Sequence, residues 1–150
     1  MFINNEALKV HLKKLQNACD GAIVIVEGKR DVAALRSLLN ANSEKICSNA
    51  DFLGLKNSEG RIFSVFILNN GTKRSLYETA EHIASKYRSA ILLLDADKKG
   101  MELRKKMSSY LRSHGVRVLE EKKLLTLARV RNVEDLCSVA ASQIEFGGAQ

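Results

Sequence analysis

Two short apolar runs, each ending on an acid, constrain this chain more than any other feature. Residues 22–26 read Ala-Ile-Val-Ile-Val and pass directly into Glu27 and Gly28, with Asp31 close behind. Residues 90–94 read Ala-Ile-Leu-Leu-Leu and pass into Asp95-Ala96-Asp97, with Gly100 following. An apolar run without polar alternation suits a strand buried on both faces, the habit of central strands in parallel sheets. A strand of that kind needs helices on both sides of the sheet. The acids then fall at the carboxyl ends of their strands, the edge where open α/β sheets bind ligands.

The rest of the chain can supply those helices. Residues 5–18 carry Leu8, Leu12 and Leu15 at helical spacing with lysines between them. Residues 31–39 read as a helix with Val32, Leu35, Leu38 and Leu39 inward. A further strand is expected at 62–68. It is closed by Asn69-Asn70-Gly71-Thr72, with Thr72 as the cap of a helix running to about Tyr87. Residues 100–113 form a strongly basic helix, Gly115 its C-terminal cap, and 116–119 a fourth short strand. Residues 122–128 and 133–141 read as helical or irregular, and 146–150 as a loose end. Residues 40–61 show no clear period. Together these predict one α/β domain over 1–150, with about four mostly parallel strands flanked by helices on both faces.

Composition narrows the function. No apolar run approaches a membrane span and the N-terminus has no signal-peptide pattern, so the cytoplasm is the expected location. Cys19, Cys47 and Cys137 are far apart and include no Cys-x-x-Cys, which argues against a zinc knuckle. The net charge of +7 is uneven: residues 98–131 hold 11 basic and 3 acidic residues, whereas residues 1–97 hold 13 and 11. The excess thus begins immediately after the second acidic motif. Most charge runs are solvated helix faces. This one has the position and sign of a patch that neutralises phosphates beside a metal site.

Asp95 and Asp97 can both turn toward one cation if the strand unwinds after Leu94. Hard oxygen ligands without nearby Cys or His favour Mg²⁺ or Mn²⁺. The pair is equally compatible with a turn and a helix cap, and Gly100 allows a tight entry into the next helix. Glu27 can join the metal shell or move a proton at a phosphate-ester oxygen, and Gly28 gives the backbone close access to a phosphate. Asp31 sits in the first turn of its helix, where capping and a metal role are both reasonable. Lys29 and Arg30 can meet phosphate or be solvated. The amides around Asn70, Gly71 and Thr72 can cradle a phosphate or form an ordinary capped turn.

In combination these pieces resemble the Toprim domain, shared by topoisomerases, bacterial-type primases, recombination proteins and some nucleases. The resemblance rests on a strand ending Val26-Glu27-Gly28 with Asp31, a strand ending Asn70-Gly71-Thr72, and a strand ending Asp95-x-Asp97-x-x-Gly100. It covers roughly residues 20–120. It implies a Rossmann-like four-stranded sheet, Glu27 as general acid or base, Asp95 and Asp97 as Mg²⁺ ligands, and Asp31 as an assistant at the metal. On these 150 residues no tyrosine-bearing second domain, zinc finger or long polymerase core is expected beside it. The stretch Val-Glu-Gly-Lys-Arg-Asp-Val looks most similar to the 5S ribosomal RNA maturases, although most of their extra C-terminal domain has no counterpart here. The expectation is a Mg²⁺-dependent nuclease or phosphotransferase on structured RNA, with DNA as the other substrate. Lys98, Lys99, Arg104, Lys105 and Lys106 would hold the backbone. The alternative is a non-catalytic nucleic-acid-binding module or a subunit of a larger complex, and a homodimer or other protein partner stays open.

Overall fold

The computed structural model describes residues 5–39, 41–44, 52–57, 59–69 and 73–136. In chain order the elements are α1 (Asn5–Ala18), β1 (Ile23–Val26), α2 (Lys29–Leu39), β2 (Ala41–Glu44), β3 (Phe52–Asn57), β4 (Ile62–Ile67), α3 (Leu76–Ala84), β5 (Ser89–Leu92), α4 (Lys98–Ser113), β6 (Arg117–Glu120) and α5 (Lys123–Ala128). A short 3-10 helix, Val133–Asp135, follows. Among the described residues, no helix is long and apolar enough to cross a membrane.

The sheet order is β2-β3-β4-β1-β5-β6. The four expected strands form its parallel block: β1 lies between β4 and β5, with Ile23 opposite both Ser64 and Ala90, and β6 runs parallel to β5. All four β1 residues are buried, and the pleat explains why the whole run is apolar. Val24 and Val26 face a core with Leu8, Leu12, Val32, Leu35, Leu124 and Leu125, from α1, α2 and α5. Ile23 and Ile25 face a second core with Ile83, Met107 and Leu111, from α3 and α4. Burial of each such side chain contributes about 1.5–3 kcal/mol.

Two strands go beyond the four expected. β2 and β3 pair antiparallel and extend the β4 edge, in the segment where no period was visible. Gly54, Lys56 and Asn57 interrupt the apolar pattern of β3, and Ala41-Asn42-Ser43-Glu44 has little strand propensity. Tertiary pairing decides here. Phe52 lies opposite Phe66, their rings edge to face at 5.1 Å. Asn57 closes the β3–β4 hairpin by accepting the amides of Glu59 and Arg61 at 3.0 and 2.9 Å.

Helix boundaries shift in instructive ways. α3 is capped by Ser75, whose hydroxyl accepts from the Glu78 amide at 3.1 Å, and it ends at Ala84 rather than near Tyr87. Ser75-x-x-Glu78 is a capping-box spacing, and Thr72 lies outside the described residues. α4 begins at Lys98 with Asp97 as its cap, two residues before the expected start. Gly115, at φ 81°, follows the end of α4 as expected, its left-handed backbone turning the chain back into β6. Glu121 joins the two ends of the domain. Its buried carboxylate meets His11 Nε2 of α1 at 2.7 Å and accepts the Leu124 amide of α5 at 2.9 Å.

Candidate active site

The strand pairing runs past the ends of β1, β4 and β5 and draws their following residues together. The Leu68 amide donates to the Val26 carbonyl at 2.9 Å, the Asn69 amide to Glu27 at 2.8 Å and the Leu93 amide to Ile25 at 3.0 Å. Glu27, Asn69 and Asp95 therefore leave adjacent strands at one edge. There they line a cavity of about 490 Å³ together with Gly28, Asp31 and Asp97. Lys29, Arg30, Asn132 and Glu134 complete its wall.

Each acid is held by its own device. Asp97 Oδ1 accepts the Gly100 amide at 2.7 Å and caps α4. Asp95 Oδ1 accepts the Val133 amide at 2.8 Å, and the neighbouring Ala96 amide donates to the Arg131 carbonyl at 2.7 Å. These two bonds lace the segment after α5 across the 95–97 loop. Asp31, in the first turn of α2, reaches back to accept the Gly28 amide at 3.1 Å. It thus caps its helix and also lines the cavity, so the two roles read from the sequence are compatible. Glu27 is half-buried, and its Oε1 lies 3.5 Å from Lys99 Nζ.

Electrostatics mark this edge as short of positive charge. Five carboxylates face Lys29 and Arg30, with Lys99 beside Glu27 and the exposed Arg30 3.7 Å from Glu134. Burial raises the Asp31 pKa to about 6, the charges of Asp95 and Glu27 add to the rise, and the amide hydrogen bonds oppose it. Gly100 holds the geometry by having no side chain: a Cβ there would stand 2.1 Å from the Asp95 carbonyl oxygen.

A Mg²⁺ ion fits the donor set. Mg²⁺ commonly takes one or two carboxylates and keeps its remaining positions for water and phosphate. Asp95 and Asp97 each commit one oxygen to a backbone amide, and no described residue bonds the other. Among the described residues, no group of three or more Asp, Glu, His or Cys is placed to hold a metal ion, so an ion here would rest on the two aspartates and on water.

The basic residues divide. Lys29, Arg30 and Lys99 stand at the acidic edge. Lys105 lines a separate groove between α4 and β6, while Lys98 and Lys106 are exposed and line neither cavity. Arg104 departs from expectation. It is 4% exposed, with Nη2 donating to the Leu94 carbonyl at 2.8 Å, so it ties α4 to the end of β5 instead of presenting a free cation. Asn70, Gly71 and Thr72 lie outside the described residues. Asn132 and Glu134 are additions that strand-end reasoning alone does not find. Their one signal in the sequence is the adjacent acidic pair Glu134-Asp135. Cys19 is buried, its thiol pushed up to about 12 chiefly by that burial, and so it is inert as a nucleophile. Cys47 and Cys137 lie outside the described residues.

The family model for the Toprim domain matches residues 22–131. A UPF0292 protein of Pyrococcus abyssi is 33% identical over 121 residues, covering 78% of this chain and 72% of that protein. A UPF0292 protein of Pyrococcus horikoshii is 29% identical over 147 residues, covering 93% and 89%. A solved structure from Aquifex aeolicus superposes with a TM-score of 0.57 at 23% identity, over 83% of this chain and 93% of that one, a likeness of fold. A match over most of the chain, on a fold that gathers the motif acids at one edge, supports one conclusion: this chain belongs to the Toprim domain family and is kin to the UPF0292 proteins.

Proposed function

We propose that the acidic edge carries out Mg²⁺-dependent cleavage or transfer of a nucleic-acid phosphodiester, with structured RNA as the substrate. One observation carries the reading: Glu27, Asp31, Asp95 and Asp97, drawn from two separated motifs, line one cavity. Membership of the Toprim family supports metal-dependent chemistry on nucleic acid. The choice of RNA rests on the likeness of Val26-Glu27-Gly28-Lys29-Arg30-Asp31-Val32 to the ribosomal RNA maturases.

Asp95 and Asp97 would hold the metal, with Asp31 assisting. The bound ion would polarise the scissile phosphate and offset its developing charge. Glu27 would move the proton at the ester oxygen, and its half-buried position next to Lys99 keeps it within reach of substrate and solvent. Lys29, Arg30 and Lys99 would orient the flanking phosphates.

The test is cleavage of an end-labelled structured RNA by wild type, Glu27→Gln and Asp97→Asn, with Mg²⁺ or with EDTA. Asparagine is as good a helix cap as aspartate, so Asp97→Asn removes charge while retaining the fold of α4. The expected result is Mg²⁺-dependent cleavage by wild type and losses of about 100-fold or more in both variants. Equal activity in all three refutes the mechanism. One observation favours a non-catalytic alternative: Asp95 and Asp97 already serve as backbone caps. RNA binding without metal-dependent turnover would support that module.

A further inference from the structure

A second groove among the described residues shares no lining residue with the acidic cavity. It has a volume of about 570 Å³ and lies between α4 and the end of β6. Its α4 wall is one helical stripe, Met101, Arg104, Lys105, Ser108, Ser109 and Arg112. At 1.5 Å per residue the stripe is about 16 Å long. Glu120 and Lys122 form the other wall. Three exposed cations, Lys105, Arg112 and Lys122, thus face one acid, and Glu120 is already drawn to Arg112 at 3.6 Å. Lys105 and Lys122 are exposed, and no ion pair among the described residues takes either one.

The inner wall carries a second, independent sign of a ligand. Arg104 and Ser108 are only 4% and 3% exposed. Arg104 Nε and Ser108 Oγ are buried with no hydrogen-bond partner among the described residues. Buried polar atoms without partners are uncommon because each costs its desolvation. A donor pair left unmet on the wall of a cationic groove suits an anion with several acceptor oxygens.

The groove also has a direction. β6 runs parallel to β5, and the Glu121 amide donates to the Leu92 carbonyl at 2.9 Å. The Glu120 and Lys122 wall therefore leads toward the sheet edge that carries Asp95. Arg104 is anchored to Leu94, the residue before Asp95. The Met101 and Arg104 end of the groove thus lies toward the acidic edge, since α4 starts from Asp97, and the Arg112 end follows α4 away from it.

We propose that the α4–β6 groove is a phosphate track that holds the sugar–phosphate backbone of a nucleic-acid strand leading to or from the acidic edge. The identity of the ligand rests on the nucleic-acid reading above, but the track does not depend on cleavage. Lys105, Arg112 and Lys122 contact phosphates, and Glu120 limits the affinity.

The test is fluorescence anisotropy of a labelled single-stranded RNA with the full chain in EDTA, across a salt series. The variants are Lys105→Gln, Lys122→Gln, their double and Glu120→Gln, with Lys13→Gln on α1 as an exposed control. For single strands each phosphate contact adds about 0.7 to the salt slope. Each groove lysine lost should therefore weaken binding about fivefold at 0.1 M salt, and the double about 25-fold. Glu120→Gln should tighten binding, a gain that misfolding cannot mimic. Cleavage is assayed separately. Weakened binding by the groove variants in a chain that cleaves no RNA retains the track and removes the catalytic reading. Absent RNA binding by wild type, groove variants that bind as wild type does, or an equal loss in Lys13→Gln overturns the track.

Discussion

Gly100→Ala tests how the acidic edge is assembled. The added Cβ would meet the Asp95 carbonyl oxygen at 2.1 Å, the Asp95 carbonyl carbon at 2.8 Å and Asp97 Oδ1 at 3.0 Å. Carbon–oxygen contacts normally sit at about 3.3–3.6 Å, so roughly 1 Å of relief is needed. The obstacle is backbone, which cannot swing aside as a side chain would. The 95–97 loop is itself tied down by the Asp95–Val133 and Ala96–Arg131 bonds. Overpacking of this kind costs about 1–3 kcal/mol. Alanine returns about 0.5–1 kcal/mol of helix stability in compensation. The expected net loss is about 1–2 kcal/mol, a fall in Tm of roughly 2–8 °C for a chain of this size. Function should suffer far more, because about 1 Å of misplacement at a reacting centre can cost about 100-fold in rate. Thermal unfolding measures the first effect, and Mg²⁺-dependent RNA cleavage by the folded variant measures the second. A variant as stable as wild type, with Mg²⁺ raising its Tm equally, would refute the claim that this close approach positions Asp95 and Asp97.

Two further outcomes follow from buried carboxylates. Asp31 has its pKa raised to about 6, so the folded state holds its proton more tightly than the unfolded chain. That contribution to stability is present at low pH and is lost as pH rises through about 6. In EDTA, wild type should lose about 1 kcal/mol more stability than Asp31→Asn between pH 5 and pH 7.5, by urea denaturation, after allowance for solvent in the open cavity. An identical pH dependence in the two proteins would refute a rise in the Asp31 pKa from burial and from the charges of Asp95 and Glu27. Glu121→Ala removes the α5 cap and the partner of His11 at once. The expected cost is about 2–4 kcal/mol in the same assay, and a cost near zero would mean that α1 and α5 are held by packing alone.

The parts of this fold that were legible in the sequence are those governed by local pattern. Ile23 to Val26 announced a strand buried on both faces because both of its faces meet helices. Glu27, Asp95 and Asp97 were visible as acids at the ends of such strands. The stripe of buried positions in α4, Gly100, Arg104, Met107, Ser108 and Leu111, was also present as helical spacing. Counting charges along the chain hides it, and so reads Arg104 as a free cation.

What remained was decided between segments distant in sequence. β2 and β3 exist because β4 offers a partner edge and Phe66 a ring to pack on, and neither reason is local. Asn132 and Glu134 reach the site only because the Val133 amide bonds Asp95, 38 residues earlier. The unmet donors of Arg104 and Ser108, and the groove beside them, arise where α4 lies along β6. By itself the sequence determined which acids would stand at strand ends, since burial dictates a strand from its own residues. Only the tertiary structure decided that they share one cavity and which cations stand beside it, because hydrogen bonds and packing across the sheet set those distances.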